Sequence, residues 1–174
     1  MKIANPYHEV PPVWTANHLI ETYARLVKSF HVRSPRVLGI PGPIRHALVE
    51  SRLVLHQLSL GIKANDQACI WLSAQFLASA SYFSGSGYLK AAMARRLKHG
   101  FLDEQTKDIV RKGILDLWSE GLYRHEWREY HGLLRSVGLG PYRKQFEAIL
   151  RTCHPGTRRY IRSLLDAACV QSDS

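Results

Sequence analysis

The sequence predicts an all-α fold: a single-domain bundle of about seven to eight helices around one central, uncharged helix. Three observations predict it. Apolar residues recur at spacings of three and four through most of the chain. No stretch alternates with the period of two that marks a half-buried strand. Glycine or proline interrupts the chain wherever the helical spacing lapses. A chain of 174 residues buries roughly 70% of its unfolded surface on folding, so the core needs neither disulfides nor a structural metal.

Residues 1–12 hold Pro6, Pro11 and Pro12, which exclude a helix interior, and read as an extended arm before a helical domain over 13–170. A first helix runs from a cap at Thr15 or Asn17 to Phe30, with Trp14, Leu19, Ile20, Tyr23, Leu26, Val27 and Phe30 on one stripe. From His31 to Pro43 three prolines and two glycines make a long loop that carries Arg33 and Arg36. Loops of this length are either functional and mobile or a plain wrap around the bundle. A second helix is expected over 44–60, stopped by Gly61.

The third helix starts at Asn65 or Asp66, and no charged residue occurs between Asp66 and Lys90. Its run ACIWLSAQFLASASYF is too often interrupted by Gln and Ser to span a membrane and fits the centre of a bundle. Ala74, Ala78 and Ser81 put small residues on one face, open to close approach by a neighbour. After the turn Ser84–Gly87, a fourth helix is expected over 88–98, and a fifth over 103–118 with Asp103 and Glu104 at its positive end. A sixth is expected over 122–137, a seventh from Pro141 to Thr152, and an eighth from Pro155 to Ala168. The tail, 171–174, is polar and frays. The helix starts at Asp66, Asp103 and Gly140 stand 37 residues apart. The turns at Gly87, Gly121 and Gly156 follow at 34 and 35. Each of these glycines precedes a basic residue by three: Lys90, Arg124 and Arg159. This is the cadence of a weak helical-hairpin repeat, although the residues within the units match poorly and an ordinary bundle of hairpins accounts for it as well.

Charge is the most informative property. Lys and Arg number 24 against 14 Asp and Glu, a net charge of +10. Between Lys90 and Arg162 there are 16 basic and 8 acidic residues, so most of the surplus lies there. A field of that sign attracts phosphate groups, anionic lipid or an acidic protein. The candidate contacts are Lys90, Arg95, Arg96 and Lys98 on the fourth helix, Arg158, Arg159 and Arg162 at the start of the last, and Arg33 and Arg36 on the long loop. Three arginines in a first helical turn oppose the helix dipole, so either an anion satisfies them or the cost, on the order of a few tenths of a kcal/mol, is simply tolerated. Tyr88, Tyr123, Tyr142 and Tyr160 lie near these cations, a mixture able to stack on bases.

The motifs of catalysis fail on spacing. In His125-Glu126-Trp127-Arg128-Glu129-Tyr130-His131 the position one turn after His125 is Glu129, and His131 points about 120° away, so a two-histidine zinc helix is excluded. His125 and Glu129 are expected to pair on the surface. No glutamate has a histidine three residues on, which excludes a dinuclear carboxylate helix pair. Ser84-Gly85-Ser86-Gly87 lacks both the sequel of a phosphate loop and the spacing of a nucleophile elbow. Cys153 and His154 are adjacent and have no third group to orient them. A helix-turn-helix over 88–118 would present acids where a recognition helix presents bases. Cys69, Cys153 and Cys169 form no CxxC pair, and the first twelve residues hold no apolar segment of a secretory signal. A reduced, cytoplasmic setting is therefore expected, with no disulfide, metal or cofactor.

The expected function is a non-enzymatic basic helical protein that contacts nucleic-acid phosphates. The alternatives are a protein-interaction or scaffolding module that holds an acidic partner, and an enzyme or small-ligand binder with a pocket lined by histidine and tyrosine. A cavity that gathers two or more of His18, His46, His56, His125 and His131 would favour the last.

Overall fold

Two aspartates set the frame. Asp66 accepts a hydrogen bond from the Cys69 amide (3.0 Å) and Asp103 one from the Thr106 amide (2.7 Å), so each closes the open amides of a helix start. In the computed structural model, which describes residues 9–42, 46–121, 124 and 126–170 (of 168–170 the backbone only), eight α-helices follow: α1 (Ala16–Ser29), α2 (Ala47–Ile62), α3 (Gln67–Ala78), α4 (Ser86–Leu97), α5 (Glu104–Ser119), α6 (Trp127–Val137), α7 (Arg143–Ile149) and α8 (Pro155–Val170). Short 3-10 turns at Pro12–Trp14 and Gly140–Tyr142 precede α1 and α7, and no strand occurs among the described residues. The arm at 1–8 and the tail at 171–174 lie outside the described residues.

The helices stack as four hairpins in two layers. The odd-numbered helices pack in the order α1–α3–α5–α7 and the even-numbered ones in the order α2–α4–α6–α8, while each hairpin joins one helix of either layer. The 37-residue cadence of the sequence holds from α3 to α5 only; α1 to α3 takes 51 residues and α5 to α7 takes 39, so the stack has no fixed step. One hydrophobic core runs between the layers, from Trp14 and Leu19 through Phe76 and Leu77 to Trp118, Trp127, Tyr130 and Phe146.

α3 is the buried centre, as its lack of charge predicts: eight of its twelve residues are buried. Its small face meets α5, where a Cβ on Gly113 would lie 2.6 Å from the Ala78 Cα. The helix is shorter than the uncharged run. It ends at Ala78, where Ser79 turns to extended backbone and donates its hydroxyl to the Phe76 carbonyl (2.8 Å), so Ser81 lies beyond it.

The long loop is anchored rather than free. Gly39 exchanges two hydrogen bonds with the Gln57 side chain (3.0 and 2.8 Å), and the Arg36 amide donates to the Tyr23 hydroxyl (2.7 Å). That hydroxyl donates in turn to Asp66 (2.5 Å), so α1, the loop and the start of α3 share one network. Val32, Leu38 and Ile40 rest on the core. Among the described residues no helix is long and apolar enough to cross a membrane.

Candidate anion-binding surface

The even-numbered layer carries the charge. Its four helices hold nine Lys and Arg against three Asp and Glu, a surplus of six; the odd-numbered helices hold seven against five, a surplus of two. The exposed cations of the even layer are Arg52 on α2, Arg95 on α4, Arg128 and Arg135 on α6, and Arg159 and Arg162 on α8, with Lys98 at the end of α4. Arg128 and Arg135 stand seven residues apart and so share a face of α6. Tyr88, 87% exposed, stands between two grooves of this layer. On one side is a hollow of about 480 Å³ between α2 and α4, lined by Val49, Arg52, Leu53, His56 and Leu89. On the other is a hollow of about 550 Å³ between α4 and α6, lined by Ala91, Arg95, Glu126 and Glu129. Gly85, in the left-handed region at φ 81°, lets the Arg52 guanidinium rest against the start of α4; a Cβ there would lie 2.9 Å from it.

The nine cations singled out in the sequence separate into different settings. Lys90 is not on a polar face: it is wholly buried and offers nothing to a phosphate. Its ammonium donates to the Ser79 carbonyl at the end of α3 and lies over the rings of Tyr82 (4.2 Å) and Phe76 (5.2 Å). Burial lowers its pKa to about 7 against the opposing pull of Glu126. Arg124 lies over the same Tyr82 ring (3.5 Å), so two of the three cations of the glycine cadence serve one interior cluster. In that cluster burial, then Glu126, raises the Tyr82 pKa, and burial raises that of Tyr130.

Arg95 is exposed but pairs with Glu129 (3.1 Å), and Arg96 is turned inward to the Ser59 hydroxyl. Lys98 is exposed. Arg159 lies over the Tyr160 ring (4.8 Å) at the surface of α8. Arg158 and Arg162, one turn apart, meet Arg151 around a hollow of about 530 Å³ between α7 and α8. Arg33 and Arg36 are exposed at the far end of the stack, beside α1 and α2. Arg128 and Arg135 were legible as the outward face of a helix whose Trp127, Tyr130, Leu133 and Leu134 point in. For Arg52 and Arg151 the sequence holds no signal, since their neighbours come from other helices.

The histidines do not converge among the described residues. His56 lines the α2–α4 groove, His18 a hollow between α1 and α3, and His131 packs on Tyr160 (5.1 Å) with its pKa lowered by burial and Arg135. His46 is exposed. The expected His125–Glu129 pair falls on a residue outside the described ones, and Glu129 is engaged with Arg95 instead. Cys153 is buried with its thiol toward the Leu150 carbonyl, while His154 Nδ1 accepts from the Gly156 amide at the start of α8. No group of three His, Cys, Asp or Glu able to hold a metal ion occurs among the described residues. Compared with family models, curated proteins and solved structures, the chain matches none.

Proposed function

We propose that the protein binds nucleic acid non-enzymatically along the exposed face of its even-numbered layer. The observation that carries this reading is the asymmetry of exposed charge between the two layers, six exposed cations against one exposed acid on the even-numbered helices and four against four on the odd-numbered ones. A stack of hairpins presents such a layer as an extended surface, suited to a long polyanion. Arg52, Arg128 and Arg135 supply phosphate contacts, and the exposed ring of Tyr88 supplies a stacking platform for an unpaired base.

Fluorescence anisotropy with a labelled 20-nucleotide single strand and the matching duplex, at rising salt, tests it. Affinity is expected to fall with salt at a log–log slope of about −0.7 for each phosphate contact on a single strand. Arg128→Glu with Arg135→Glu flattens that slope and weakens binding about tenfold or more, whereas Lys112→Glu with Lys144→Glu on the odd layer leaves it within about twofold. Absence of binding at low salt overturns the reading, as does equal loss from both pairs.

A second reading, a protein partner held in the α2–α4 groove, is favoured by one observation. Val49 (40% exposed) and Tyr88 place apolar surface beside Arg52, the arrangement that an acidic amphipathic helix fits. Under that reading Val49→Asp abolishes capture of the partner and reversal of Arg128 changes nothing.

A further inference from the structure

We infer that the hollow between α7 and α8 is a binding site for a dianionic phosphomonoester, such as the terminal phosphate of a nucleic-acid strand. Arg151, Arg158 and Arg162 line it together with Leu150 and Glu147. None of the three guanidiniums makes a hydrogen bond or ion pair among the described residues, whereas the one carboxylate of the lining, Glu147, is held by Arg143 (3.2 Å). Three guanidiniums thus converge without a counter-charge of their own. Mutual repulsion and the positive end of α8 both oppose that placement, and an anion seated between them relieves both.

The first turn of α8 shows that the guanidiniums, not the backbone, supply the donors. The Gly156 amide is taken by His154 Nδ1 (3.0 Å), and the Thr157 and Arg158 amides by the His154 carbonyl (2.8 and 3.1 Å). Arg158 is half-buried and its Nε–H is closed off from solvent with no acceptor. A charge already partly stripped of water gains more from a bound anion than a fully hydrated one does. A monoester carries a charge of about −1.5 to −2 at neutral pH. It therefore matches three cations better than the single charge of a diester link inside a strand. With a volume of about 530 Å³ the hollow exceeds a phosphate group, and Leu150 leaves an apolar wall for the sugar or base that carries it.

The inference does not rest on the even-layer surface, and the experiment separates the two. The intact protein is titrated with three labelled strands of one sequence ending in a 5′-phosphate, a 3′-phosphate or hydroxyls at both ends, and separately with a nucleoside 5′-monophosphate alone. A phosphorylated end is expected to bind about tenfold more tightly than the hydroxyl strand, the gain of one charge-assisted contact. If instead the free monophosphate binds and the strands do not differ, the phosphomonoester is that of a small nucleotide. Arg151→Ala with Arg162→Ala, both exposed and unengaged so that the fold is kept, brings the phosphorylated strand to within about twofold of the hydroxyl strand. Binding of the hydroxyl strand itself, the measure of the even-layer reading, is far less affected. Equal affinity of all three strands together with no binding of the monophosphate overturns the site, even where strand binding persists.

Discussion

At the scale of single residues, the largest departure from a surface reading is Lys90. Its spacing on α4 gives no hint of burial, because the residues that enclose it, Ser79, Tyr82 and Glu126, come from the segment after α3 and from the residue before α6. The amine closes a carbonyl that the end of α3 leaves open, the task that Arg111 performs for α6 by donating to Val137 (2.6 Å) and Gly138 (3.0 Å). A folded pKa near 7, against an ordinary value of 10.5, means that the unfolded chain binds the extra proton between those values. Stability therefore rises with pH from about 7 upward, and the burden of the buried charge is felt below 7. The raised values of Cys69, Tyr82 and Tyr130 act in the opposite sense at higher pH, so the useful window is the near-neutral one. In urea unfolding between pH 7 and 9, the stability of the native protein is expected to rise relative to Lys90→Met, with a limiting slope of about 1.4 kcal/mol per pH unit. Parallel curves for the two proteins would show that Lys90 stays fully charged in the fold.

At the scale of elements, the helix starts closed by a side-chain cap were legible, whereas α6, expected from 122, starts at Trp127 without one. Asp66 and Asp103 cap through their own side chains, a local event that the sequence carries. The end of α3 depends on Ser79 and on a lysine eleven residues away, and the start of α4 on the left-handed Gly85, so the uncharged run could not reveal that its last third leaves the helix. The small residues were legible as an invitation to close packing, but their partner was not. Gly113 of α5 meets Ala78 so closely that the usual benefit of alanine within a helix, about 1 kcal/mol, is overridden by a clash with backbone that cannot swing away. Gly113→Ala is expected to destabilise the protein by about 1–3 kcal/mol, read from the midpoint of denaturation. The same change at Gly132, where a Cβ meets nothing within 4 Å, is expected to stabilise it. A stabilised Gly113→Ala would show that α3 and α5 part easily.

At the scale of the whole molecule, the alternation of odd and even layers gathers the charge, since the cations of α4, α6 and α8 lie far apart in sequence but on neighbouring helices. The surplus between Lys90 and Arg162 was visible in the chain; its confinement to one layer follows only from the stacking order. That order also dictates how the molecule comes apart. α3 touches α1, α2, α4 and α5, whereas α8 rests mainly on α6 and α7, and α7 has only seven residues. In a stack whose units contact only their neighbours, the end unit opens at a lower free energy than the centre. Ile161, wholly buried on α8, tests this. Ile161→Ala removes about 2–5 kcal/mol of packing. Native-state hydrogen exchange is expected to show that loss in the amides of α7 and α8, while the slowest amides of α3 and α5 keep most of their protection. An equal fall in protection from α1 to α8 would mean that the four hairpins unfold as one cooperative unit, and that the layered stack behaves energetically as an ordinary bundle.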